Sequence, residues 1–105
     1  MGDRAVVVFK TDDNDVSPAV YLHWNGSDVA DWLKELATLM GDRKDDVGYA
    51  AARFCGICHS HISGELGLGL LDDGRSFVAD PKGTSHGDQG VFIVNCKDYS
   101  FEQIK

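Results

Sequence analysis

The sequence predicts an α+β domain, an antiparallel sheet with two helices packed on one face, in the order ββααββββ. Three observations lead there. β-branched runs open the chain, two helical stretches fill its middle, and alternating or β-branched runs return in its last third. With 105 residues and 43% hydrophobic content, the chain can bury one core without disulfide staples, so residues 1–105 are expected to form a single globular domain.

"RAVVVFK", Arg4 to Lys10, reads as a buried strand, and "TDDNDVSP" breaks it as a loop. "AVYLHW" then alternates, with Val20, Leu22 and Trp24 on one face and Tyr21 and His23 on the other. These two strands should form a hairpin. Asn25-Gly26 marks a turn, Ser27 is placed to cap a helix, and Asp28 and Asp31 suit its positively polarised first turn. Val29, Trp32, Leu33, Leu36, Leu39 and Met40 recur at helical spacing before Gly41 supplies a stop. A second helix is expected over 46–60 with Asp45 or Asp46 as cap, its stripe formed by Val47, Ala50, Ala51, Phe54, Cys58 and Ile62. Beyond Gly64, Leu66, Leu68 and Leu70 alternate with glycines and lead to Asp73-Gly74, a hairpin signal with a return strand at Ser76 to Ala79. "PKGTSHGDQG" reads as a loop, and "GVFIVNC" with "YSFEQI" forms a last strand pair turned at Lys97-Asp98. Val7, Trp32, Leu36, Phe54 and Ile93 are expected in the core.

Charge narrows the partners. Fourteen Asp and three Glu face ten basic residues, for a formal charge of −7. Such a surface repels phosphate backbones and disfavours direct nucleic-acid binding, whereas it permits contact with a basic surface on a host protein or on a second copy. "MGDRAVVVFK" has too short an apolar run for a signal peptide or a membrane span, so a cytoplasmic protein without membrane contact is expected. In that compartment thiols stay reduced, and three cysteines do not suggest a disulfide framework.

The stretch "RFCGICHSHIS" contains Cys-x-x-Cys-His, the spacing of a c-type haem site, but haem attachment of that kind belongs to exported proteins. Zinc needs about four converging ligands. Cys55 and His59, one helical turn apart, offer two, and the rest would have to come from His23, His86 or Cys96. With no second paired motif, no metal or other cofactor is expected, and Cys58 and Cys96 read as small core residues. "GLGLLDDG" leads into a turn and not a helix, so it is no dinucleotide fingerprint, and "DDNDVS" lacks the glycine and distal Glu of a calcium loop. Cys55 or Cys58 as a nucleophile lacks a clear orienting partner, and no catalytic residue is assigned.

The histidines are the remaining candidates. His23 and Tyr21 alternate away from the apolar face of their strand, His59 and His61 close a helix, and His86 sits in a glycine-flanked loop. With Trp24 these residues form the expected ligand-binding set: Tyr21, His23, Trp24, His59, His61 and His86.

The blocks "MGDRA", "VSPAVYLHWNGSDV", "YAAARFCGICHSHISGELGLGL" and "HGDQGVFIVNC" resemble a family of small uncharacterised proteins of bacteria and their phages, over nearly the whole chain. That resemblance implies a compact cytoplasmic accessory protein with no activity to carry over. Two functions follow as expectations. The first is an acidic binding module, such as an inhibitor of a host defence protein in the manner of anti-CRISPR proteins. The second is a small-ligand (nucleotide) or metal-binding domain that uses the His/Tyr cleft, with or without hydrolytic activity.

Overall fold

The structure is a computed structural model, and its described residues are 3–11, 15–61, 67–71 and 74–105. In chain order it contains β1 (Ala5–Lys10), β2 (Ala19–Leu22), a 3-10 turn (Gly26–Asp28), α1 (Val29–Met40), α2 (Val47–His61), β3 (Leu68–Leu71), α3 (Gly74–Ala79), α4 (Pro81–Thr84), β4 (Val91–Asn95) and β5 (Ser100–Ile104). The class is α+β as expected, but the sheet is mixed. Its order is β3-β2-β1-β4-β5, with β1 and β4 parallel and the other pairs antiparallel.

The central strand explains the layering. β1 has a neighbour on each side, and Ala5, Val6, Val7, Val8 and Phe9 are all buried, which is why its sequence reads as an unbroken apolar run. Side chains alternate across it. Ala5, Val7 and Phe9 join Val20, Leu22, Phe92 and Val94 against Trp32, Leu33, Leu36, Phe54, Ile57 and Cys58 of α1 and α2. Val6 and Val8 join Ala19 and Val91 on the other face, beneath Phe77 of α3.

Helices therefore cover both faces, not one. The expected return strand at Ser76 to Ala79 is α3, because Phe77 supplies the large apolar group that closes the second face. Residues 76–79 alone hold too few apolar positions to separate a period of two from one of 3.6. The expected loop at "PKGTSHGDQG" begins with α4, where proline stands at the helix start and the Asp80 side chain accepts from the Gly83 amide at 3.1 Å. Leu66, Ile62 and the Asp73 half of the expected hairpin turn lie outside the described residues. Of the expected core, Val7, Trp32, Leu36 and Phe54 are buried, whereas Ile93 is half-buried and sits on the α3 face.

Both long helices form where expected, with altered starts. Ser27 does not cap α1; its amide and hydroxyl donate to Asp3 at 2.9 and 2.6 Å, and a 3-10 turn leads into the helix. Of the two expected caps of α2, Asp46 serves, its carboxylate accepting from the Tyr49 amide at 3.0 Å. Ile57 joins the buried stripe of α2, and Phe54 meets Phe9 edge-on at 5.7 Å between ring centres. Cys58 and Cys96 are buried free thiols, and burial raises both, that of Cys96 to about 11. Among the described residues no helix is long and apolar enough to cross a membrane.

The β4–β5 turn is locked by Tyr99. This residue is buried, adopts a left-handed backbone at φ 59, and donates its hydroxyl to the Arg43 carbonyl oxygen, tying the turn to the α1–α2 connection. Burial pushes its phenol up to about 12. A phenol raised in the folded state stabilises below its unfolded value of about 10. Stability should therefore fall as the solution passes from about pH 10 through about 12. Tyr99→Phe should remove part of that alkaline decline and cost about 1 kcal/mol at neutral pH, the range for losing one part-buried hydrogen bond, in denaturant titrations.

Candidate functional site

Strand alternation sets Tyr21 on the α3 face, away from Val20 and Leu22. The chain leaves β2 after Leu22, but His23 stays anchored: its amide donates to the Gly67 carbonyl at 2.9 Å and its carbonyl accepts from the Asp3 amide at 3.1 Å. The Tyr21 hydroxyl and His23 Nδ1 share a 2.9 Å hydrogen bond. His86, from the loop after α4, lies with its ring 5.0 Å from that of Tyr21 and 6.2 Å from Phe77, nearly parallel to the latter at 18°. His23 in turn meets the Trp24 ring at right angles, 4.8 Å between centres.

The result is a chain of rings, Trp24–His23–Tyr21–His86–Phe77, drawn from β2 and its continuation, α3 and a loop. Trp24 is 46% exposed and does not share the buried face of Val20 and Leu22. β2 ends at Leu22 and the chain bends at His23 and Trp24, so strand alternation no longer turns the tryptophan inward; Asn25, left-handed at φ 71, then leads into the 3-10 turn.

A polar latch borders the rings. The Arg4 amide and Nε both donate to Asp88 Oδ2 at 2.9 Å, and the Gln89 amide donates to the Arg4 carbonyl at 2.9 Å. Asp3 accepts from Gln89 Nε2 at 3.1 Å as well as from Ser27. Bonds from Ser27 hold the Asp3 carboxyl below its usual range, and the Arg4 amide and guanidinium do the same for Asp88. Carboxyls depressed in the folded state contribute stability above their unfolded values, near pH 4. That contribution is lost as the pH falls through the lower, folded values. Thermal melts of Asp3→Asn should accordingly show a shallower acid limb than the parent, with little difference in slope above neutrality.

The expected ligand set divides. Tyr21, His23, Trp24 and His86 come together, whereas His59 and His61 end α2 on the opposite side of the sheet. His61 stacks on Trp32 at 5.3 Å and 11°, with Nε2 3.2 Å from Glu35 Oε1, and His59 is exposed. The split follows from the packing of α2, whose apolar stripe binds its C-terminal turn to α1.

The weaker metal pair fares similarly. Cys55 is half-buried in an apolar groove of about 260 Å³ with Pro18, Gly48, Ala51, Ala52 and Leu70, and burial raises its thiol. His23 and His86 lie across the sheet from Cys55 and His59. Among the described residues no three His, Cys, Asp or Glu side chains are placed to hold a metal ion.

Sequence reasoning missed Phe77, Arg4 and Asp88. Arg4 and Asp88 stand 84 positions apart, so no local pattern joins them. Phe77 carries a signal, a lone aromatic in a mostly polar stretch, but the neighbouring Asp73-Gly74 turn signal points to a hairpin strand there instead. No protein-family model, curated protein or solved structure matches the chain. The resemblance to small bacterial and phage proteins thus rests on the quoted sequence blocks alone.

Proposed function

We propose that this chain is a small acidic protein-binding module that docks on a basic protein surface through the Tyr21–His23–Trp24–His86 patch. The observation that carries the reading is Trp24, 46% exposed and held by a ring partner that is itself hydrogen-bonded. Tryptophan, tyrosine and arginine are the residues that most often dominate interface energies, and a pre-ordered anchor loses little freedom on binding. The net charge of −7 supplies attraction to a basic partner and speeds encounter. The sequence resemblance adds a biological setting to this proposal, an accessory protein of a phage or other mobile element that occupies a host defence protein.

A photoreactive tryptophan analogue that keeps the indole, placed at position 24, should crosslink to a basic host protein at low salt and lose that product at high salt. The same analogue at Leu39, another exposed apolar residue at 58%, is the control. Crosslinking equally from position 39, or from neither position, would refute the reading.

A further inference from the structure

We infer that the open surface of the Trp24 indole receives an arginine side chain of the partner, an inference that rests on the docking patch proposed above. Three observations converge on a planar cation. The indole is 46% exposed while its contact with His23 is at right angles, so aromatic surface remains available to a ligand. Indole is the most effective of the aromatic rings toward cations, and arginine is the cation found there most often.

The neighbouring charges point the same way. The Arg4 guanidinium pairs with Asp88, while Asp3 accepts from the neutral Ser27 and Gln89, so these charged residues leave one net negative charge at the border of the patch, in a chain of net charge −7. An incoming anion would be repelled. Tyr21 and His86, the latter backed by buried Phe77, extend a ring-lined surface that suits a flat, weakly hydrated group better than an ammonium ion, which must shed a tightly held water shell.

The His23–Tyr21 hydrogen bond gives the patch its rigidity. Because the imidazole is held at 2.9 Å by the phenol, the tryptophan packs on a fixed partner, and the stack forms with little ordering at the moment of binding.

Octa-arginine, octa-lysine and octa-glutamate peptides test this on the intact chain by NMR, with the two indole N–H signals as reporters. Octa-arginine should move the Trp24 signal and leave that of buried Trp32 in place; octa-lysine should bind more weakly and octa-glutamate not at all. Trp24→Ala and Trp24→Leu should each weaken octa-arginine binding by about tenfold, with Trp24→Phe in between. Wild-type affinity in Trp24→Leu would show that apolar contact, not the π face, matters, and would overturn the inference. So would octa-arginine binding that leaves the Trp24 signal unmoved, or no octa-arginine binding. The docking reading is decided separately by the position-24 crosslink, which does not depend on the peptide result.

Discussion

Trp32→Ala should lower unfolding free energy by about 3–5 kcal/mol, the range for deleting a large aromatic from a packed core. Trp32 is buried on α1 among Leu33, Leu36 and Met40, at the centre of the layer that joins both long helices to the sheet. Its outer ring face also carries His61 of α2 in a near-parallel stack. Removing the indole therefore opens a cavity and frees the C-terminal turn of α2 together. Urea denaturation measures the loss. Trp32→Phe should recover much of it, because a smaller ring still fills part of the space and still faces the imidazole. His61→Ala, by contrast, removes a side chain that is 44% exposed and a surface contact with Glu35, and should cost about 1 kcal/mol or less. An unchanged midpoint in Trp32→Ala would refute the register of α1.

That register was legible in the sequence, and the reason is length. α1 presents Val29, Trp32, Leu33, Leu36 and Met40 over its 12 residues, enough turns for a helical period to separate from a strand period. α2 was legible for the same reason, and the β4–β5 pair because the apolar run of β4 and a short segment carrying Tyr99, Phe101 and Ile104 flank a polar turn. The parallel pairing of β1 with β4 was not. Val6 meets Val91 across 85 positions, and which neighbour a strand takes depends on the packing of everything between. The candidate site divided along the same line. Tyr21 and His23 were found because strand alternation is local, and His86 because its glycine-flanked loop is exposed. His59 and His61 were grouped with them by residue type, but a helix rigidly joined to α1 on the other face keeps them apart. The latch that borders the rings, from Asp3 and Arg4 to Asp88 and Gln89, joins the two ends of the chain and leaves no mark on either.

Gly74→Ala should destabilise the domain by about 3 kcal/mol, the upper end of the usual cost of overpacking, and should disturb the aromatic patch without touching it. A methyl group at position 74 would overlap the Ser17 carbonyl oxygen and lie 2.9 Å from Val16 Cγ1 and 3.1 Å from Val8 Cγ1. The obstacle cannot step aside. Ser17 is fixed by its amide donating to the Phe9 carbonyl at 2.8 Å, by its hydroxyl accepting from the Phe9 amide at 3.0 Å, and by the same hydroxyl donating to the Pro18 carbonyl at 2.9 Å. The strain must move α3 instead. As α3 lifts, Phe77 leaves Val6, Val8, Ala19 and Val91, and its ring no longer backs His86. Two readouts should change together: the denaturation midpoint should fall, and NMR cross-peaks between the Tyr21 and His86 rings should weaken while those between Phe9 and Phe54, on the far face, persist. Wild-type stability in Gly74→Ala would mean that the chain at this point does not approach the Ser17 carbonyl. Residues 76–79 would then be free to return as the strand their sequence suggested, and His86 would lose its structural tie to the patch.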